Sequence, residues 1–215
     1  TLKTKIALLK ASKSQFIIAV LLCFAIASPQ IIYWLIKTGK PFYDSYKNPG
    51  VGLDIFSPHI IDSLISYKKG WLIYTPVMLL YLTGFIFLYK KQKDIFWAIT
   101  IYFLISFYII TSWTEWWYGA GFSNRPLIVS YVVLGICFGF FLQHLSTKSR
   151  PIITTVTIFI LACTFLNQFQ WWQLRAGILE PYRTTKEYYW ASFLATSVTQ
   201  EDKEKLSLYR DFDGN

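Results

Sequence analysis

The sequence predicts an all-α membrane protein with about five transmembrane helices, outer loops and a small, mostly helical C-terminal extramembrane tail. Three observations predict it. Hydrophobic residues make up 54% of the 215 and charged residues only 15%, whereas a soluble domain carries about 25% charged residues. Aromatics reach 20%, with 9 Trp, 15 Tyr and 18 Phe, and Trp and Tyr are enriched where a protein meets the membrane–water interface. The mean hydropathy is +0.37, and the apolar residues gather into five runs of membrane-crossing length. This composition excludes a disordered chain and argues against a water-soluble globule.

The five runs cover residues 15–36, 71–89, 95–112, 127–142 and 152–169. Each holds about 16 to 22 residues, close to what a ~30 Å hydrocarbon core requires at ~1.5 Å rise per residue. Lipid offers backbone groups no hydrogen-bond partner, so each run is expected to be helical. The first could be read as a signal sequence, but no small-residue cleavage site follows it, and a retained helix is expected. Residues 1–169 thus form the multi-span region and 170–215 an outer-face tail. In that tail Thr184-Thr185-Lys186-Glu187 reads as a capping box opening a helix to about Ala195, and Thr199-Gln200-Glu201-Asp202 opens a shorter one.

Lys and Arg set the orientation. Lys3, Lys5, Lys10 and Lys13 precede the first run, Lys90, Lys91 and Lys93 separate the second from the third, and Lys148 and Arg150 separate the fourth from the fifth. With five crossings these segments share one side, and they hold one acid, Asp94, of the twelve. The positive-inside rule then places the N-terminal end in the cytoplasm and the tail outside. The formal charge of +9 reflects this topology and anionic lipid, so nucleic acid is not expected as a partner. Cys23, Cys137 and Cys163 lie inside apolar runs with no paired spacing, which points to packing and not to disulfides, metal or any cofactor. The chain opens on Thr1 and its single methionine is Met78, so a piece of a longer protein is expected.

Chemistry-bearing groups concentrate in the expected outer loops. Asp44, Asp54, His59 and Asp62 lie between the first two runs, and Lys68 and Lys69 precede the second. A carboxylate there could serve as general base, with Asp44 and Asp54 the candidates, or belong to a solvated loop. His59 has no partners at metal-ligand spacing. Arg125 ends the stretch Trp116-Trp117-Tyr118-Gly119-Ala120-Gly121-Phe122-Ser123-Asn124 and precedes Pro126, which suits a first helical turn. Its guanidinium could hold a lipid phosphate or snorkel to bulk headgroups. Trp113, Trp116 and Trp117 fit either an interfacial belt or a platform for a sugar. No phosphate-cradling Gly-Lys-Ser/Thr motif, nucleophile elbow or zinc signature occurs.

The order of several short motifs carries a resemblance. Pro29-Gln30, Tyr33-Trp34, Phe56-Ser57-Pro58-His59 and Lys69-Gly70-Trp71-Leu72-Ile73-Tyr74-Thr75-Pro76 come first. Trp113, Trp116-Trp117-Tyr118-Gly119, Arg125, Leu166-Asn167-Gln168-Phe169-Gln170 and Thr185-Lys186-Glu187 with Tyr189-Trp190 follow. Over nearly its whole length the chain resembles the C-terminal half of a bacterial multi-pass protein of the GT-C glycosyltransferase superfamily. More narrowly it resembles the protein-mannosyltransferase-like and aminoarabinose-transferase-like members, in a form associated with Bacteroidetes.

The resemblance implies transfer of a sugar from a polyprenyl-phosphate donor to a glycan, lipid or protein acceptor at the outer face of the bacterial inner membrane. It implies that Arg125 and Lys69 hold the donor phosphate and that Trp116, Trp117 and His59 contact sugar or prenyl chain. It also implies that the catalytic carboxylate lies upstream of Thr1. Ser123-Asn124 stand where the family pattern has Gly-Gln before the arginine. Two other classes compete: a transporter or flippase of a lipid-linked substrate, and a non-catalytic membrane subunit of an envelope assembly. The near absence of charge within the runs weighs against the first.

Overall fold

The computed structural model describes residues 12–43 and 50–208. The chain is an all-α membrane protein, and its described residues fall into two compact units, divided after Pro49. The first unit contributes α1 (Lys13–Thr38), which is mainly apolar and has no buried residue. It tolerates Pro29, and it ends at Gly39, whose φ of 69° is the left-handed conformation that closes helices and whose N–H returns to the Leu35 carbonyl.

The second unit begins with the short α2 (Ile60–Ile65) and α3 (Trp71–Tyr74), followed by α4 (Met78–Lys91) and α5 (Lys93–Thr111). A 3₁₀ turn over Arg125–Ser130 runs directly into α6 (Tyr131–Leu145), and α7 covers Arg150–Arg175. Two short helices, α8 (Lys186–Ser192) and α9 (Gln200–Glu204), follow among the described residues. Among the described residues four helical segments are long and apolar enough to cross a membrane: Lys13–Thr38, Lys93–Thr111, Arg125–Leu145 and Arg150–Arg175.

The second apolar run is not the single span its composition suggests. It is divided into α3 and α4, and α4 has 14 residues, or about 21 Å at ~1.5 Å each. Pro76 is the cause. A proline disfavours the α conformation in the residue before it and lacks an N–H, and Thr75 sits at φ −139° and ψ 62°. The helix restarts through i,i+3 bonds from the Met78, Leu79 and Leu80 N–H groups to the Thr75, Pro76 and Val77 carbonyls. The Tyr74 carbonyl freed by the break accepts the Asn167 side-chain amide at 2.9 Å.

Helix α4 packs chiefly on α6. Close approach is possible because Gly84 faces the α6 backbone: a Cβ there would stand 2.1 Å from the Cys137 carbonyl oxygen. Small residues serve this purpose where lipid supplies no hydrophobic drive between helices. Tyr81 and Phe138 stack beside it at 4.1 Å and 4°, and Leu88, Ile99 and Cys137 are buried together. Gly84→Ala is therefore expected to cost about 1–3 kcal/mol through overpacking. Gly139→Ala, with nothing within 4 Å of the new methyl, should be neutral or slightly stabilising. Thermal unfolding in detergent compares the two.

The tail departs from its predicted boundaries. Helix α7 continues through Gln170, itself buried, to Arg175, because its buried amides have partners there. Gln170 Nε2 donates to the Tyr189 hydroxyl at 3.1 Å, and Gln173 Nε2 donates to the Ser192 and Ala195 carbonyls, both at 2.7 Å. Thr185, not Thr184, caps α8 by accepting the Tyr188 N–H; Thr184 instead donates to the Glu180 carbonyl. The helix stops at Ser192, three residues before the expected Ala195. The shorter helix expected at Thr199–Asp202 is present, and Thr199 and Asp202 close it with a capping box.

Candidate functional site

Lys68 and Lys69 lie between α2 and α3 and are almost fully buried, at 1% and 2% exposure. A tight reversal holds them. The Gly70 N–H donates to the Ser66 carbonyl at 2.6 Å, and a Cβ at Gly70 would stand 2.5 Å from the Ser66 N and O atoms. Only glycine fits this crossing. Lysines are almost never fully buried without a compensating partner, so this pair is not a solvated helix flank.

Each lysine has its own surroundings. The Lys68 ammonium sits 3.7 Å from the centroid of the Trp117 ring, a close cation–π contact. Lys69 lines a small cavity with Lys68, Tyr74, Gly121, Phe122, Ser123 and Glu180. The Lys69 ammonium is depressed to about 7, first by burial, then by the charges of Arg125 and Lys68, while Glu180 acts in the opposite direction. Lys69 and Arg125, predicted as the phosphate-holding pair, are thus brought into one electrostatic cluster.

Arg125 opens the 3₁₀ turn and is exposed. Its aliphatic stem lies over Gly121, where a Cβ would meet the Arg125 Cδ at 2.7 Å. Gly121 therefore gives the guanidinium its route past the loop. Ser123 adopts φ 51°, an uncommon conformation for a residue other than glycine. Its hydroxyl is buried and has no hydrogen-bond partner among the described residues. Both polar atoms of Asn124, which is 1% exposed, are in the same state. Buried polar groups are ordinarily paired, and here they cluster beside the cations.

The other predicted residues take different positions. Trp116 is fully buried and Trp117 is 8% exposed, so they form a foundation under the site and not an open platform. Trp116 stacks with His59 at 6.4 Å and meets Trp117 edge-on at 5.9 Å; the two rings thereby link His59 to Lys68. His59 Nδ1 lies 3.4 Å from Asp62 Oδ2. Asp54 is exposed, and its Oδ1 accepts the Phe56 N–H at 3.1 Å, closing a local turn. Asp44 lies outside the described residues. No group of three or more His, Cys, Asp or Glu side chains able to hold a metal occurs among the described residues.

Glu180 is the member that sequence reasoning missed. It is the single acid between Glu115 and Glu187, which is the only signal the chain carries for it. Its position follows from tertiary packing: Leu179 is buried with Tyr74 and Tyr189, and Phe122 and Leu174 pack against them. The Tyr188 hydroxyl holds the Ile178 carbonyl. The result is three cations and one carboxylate at the end of the unit where α7 gives way to the tail.

Compared with known proteins, the chain matches no family model, no curated protein and no solved structure.

Proposed function

We propose that this protein binds a polyprenyl-phosphate-linked sugar and takes part in its transfer to an envelope acceptor at the outer face of a bacterial inner membrane. The observation that carries the reading is the buried Lys69, which lines a cavity with Lys68 and Ser123 and lies within the field of the Arg125 charge. Buried cations beside membrane-crossing helices are costly unless an anion compensates them. Charge-assisted hydrogen bonds to phosphate oxygens do so, and the guanidinium fork suits two of them at once.

In transfer, the acceptor hydroxyl attacks the anomeric carbon and the phosphate leaves with the bonding electron pair. The leaving phosphate gains negative charge as the bond breaks, and cations already in place stabilise that charge more than they stabilise the donor. Lys69, Lys68 and Arg125 act on this leaving-group side. Trp116 and Trp117 set the position of Lys68 and of His59. The carboxylate that deprotonates the acceptor is assigned to no described residue.

The test is transfer from a radiolabelled polyprenyl-phosphate sugar by membranes carrying the complete protein. Arg125→Ala is expected to lower transfer about 10- to 100-fold, the worth of one charge-assisted contact of about 1.5–3 kcal/mol. Unchanged transfer would remove Arg125 from the site. The break between α3 and α4 favours one second reading, movement of the same lipid across the bilayer, since transporters build substrate sites at interrupted helices. Flipping of a fluorescent polyprenyl phosphate in proteoliposomes, without any transfer, would replace the first reading by the second.

A further inference from the structure

We propose that residues 53–65 form an in-plane membrane shelf. The segment lies along the bilayer surface at the C-terminal end of α5, with Ile55, Phe56, Ile61 and Ile65 set into the acyl-chain boundary of that leaflet. The partner is lipid, and the contact is independent of the phosphate site.

Exposure is the first observation. Phe56 is 98% exposed, Ile61 70%, Ile65 54% and Ile55 50%. Single apolar residues at a surface are ordinary, but several on one short segment mark a surface that something covers. Helix α2 also carries its polarity inside out. Ser63 is fully buried and Leu64 packs on the core around Trp71, while Ile61 and Ile65, one turn apart, face outward. A helix on a water-facing surface has the reverse pattern.

Continuity with the spanning surface identifies the cover. On α5, Ile101, Leu104, Ile105, Tyr108 and Ile109 are all exposed and recur at the three-and-four spacing of one helix face. The helix is of spanning length, so this stripe is a bilayer-facing surface. Near its C-terminal end the Tyr108 hydroxyl donates to the Ile55 carbonyl at 2.6 Å. Tyr108 stands one turn before Thr111, where α5 ends. Ile55 and Phe56 are therefore held where the span reaches the headgroup boundary, the level at which tyrosine is enriched.

The backbone suits such a place. Non-helical backbone at the edge of lipid needs internal partners. Here the Asp54 and His59 N–H groups donate to the Ser112 and Thr111 carbonyls at 2.7 and 2.8 Å. The Gly52 N–H donates to Thr114 Oγ1, and the Phe56 N–H to Asp54 Oδ1. Asp62, the second acid of the segment, lies beside the His59 ring. Both carboxylates are thus engaged locally, and Phe56 and Ile61 are left to face outward.

Lipid photolabelling of the complete protein tests this. It is reconstituted in phosphatidylcholine bilayers containing a phospholipid with a diazirine near the top of its acyl chain, irradiated, and the adducts are mapped by peptide mass spectrometry. The α5 stripe is the positive reference, and the charged, largely exposed α9 is the negative one. Residues 53–65 are expected to label within about threefold of α5 and at least about tenfold above α9. Phe56→Asp removes no interior contact, because the side chain is 98% exposed. It should lower labelling of residues 53–56 about threefold or more, since a carboxylate is disfavoured among acyl chains.

Residues 53–65 labelled no more than α9 would overturn the proposal; water, a second copy or another part of the complete protein then covers the segment. Labelling of residues 53–56 that Phe56→Asp leaves unchanged would overturn it as well.

Discussion

Lys69→Met is expected to make the protein more stable and worse at binding polyprenyl phosphate. Lys69 is 2% exposed, and its ammonium is depressed to about 7, chiefly by burial. Below pH 7 the folded protein therefore carries a buried charge that the unfolded chain keeps in water. The unfolded state binds more protons between pH 7 and the ordinary lysine value of 10.5. Stability consequently rises with pH across that window, and the penalty is full below it. Methionine has similar length and no charge, so the substitution should stabilise by on the order of 2–4 kcal/mol at pH 6.

That gain should fade as pH rises from 7 to 10.5 and vanish above it, where wild-type Lys69 is neutral in both states. Affinity for polyprenyl monophosphate should move the other way, falling about 10- to 100-fold with the loss of one charge-assisted contact. Melting curves at pH 6 and pH 9, with a binding isotherm at pH 6, provide both readouts. A structural lysine would show no such opposition: its removal would lower stability, or leave binding untouched.

Gly70→Ala should do the largest damage of any single methyl group in the site. The added Cβ would meet the Ser66 N and O atoms at 2.5 Å and the Ile65 carbonyl carbon at 2.7 Å. These are backbone atoms, so no rotamer change relieves the clash. A cost at or above the ~1–3 kcal/mol of ordinary overpacking is expected, together with loss of phosphate binding, since Lys68 and Lys69 hang from the displaced segment. Gly119→Ala is a useful contrast. It has open space around it but φ +69°, so it should cost only the roughly 1–2 kcal/mol of left-handed backbone. Unfolding and binding measured on both variants distinguish a crossing that needs glycine from a turn that prefers it.

Much of the fold was legible because membrane insertion simplifies the physics. A run of apolar residues in lipid has to be helical, and four of the five runs are helices of spanning length whose ends fall within a few residues of the expected ones, apart from α7. The exception was also written in the chain: Pro76 disfavours helix at Thr75, but hydropathy averages over it and reports one span. The overrun of α7 has a different origin. Gln170 and Gln173 look like the polar end of a span until Tyr189, Ser192 and Ala195 appear as partners, and those contacts are set by the tail's docking.

The site was legible in part. Lys69 and Arg125 could be paired from motif order, and their cluster follows from glycine-permitted approaches at Gly70 and Gly121. Aromatic residues were ambiguous in principle, since Trp suits a bilayer interface and a buried foundation equally well. Burial of Trp116 under His59 distinguishes them. Glu180 could not have been found, because nothing local ties it to Lys69; the packing of Leu179 on Tyr74 and Tyr189 does that.

The most direct test of the account is the structure of the complete protein with polyprenyl monophosphate bound in a lipid nanodisc. The expected result is the phosphorus between the Lys69 ammonium and the Arg125 guanidinium, with a phosphate oxygen on the Ser123 hydroxyl. A phosphate held at another place on the protein, away from Lys69 and Arg125, would contradict it.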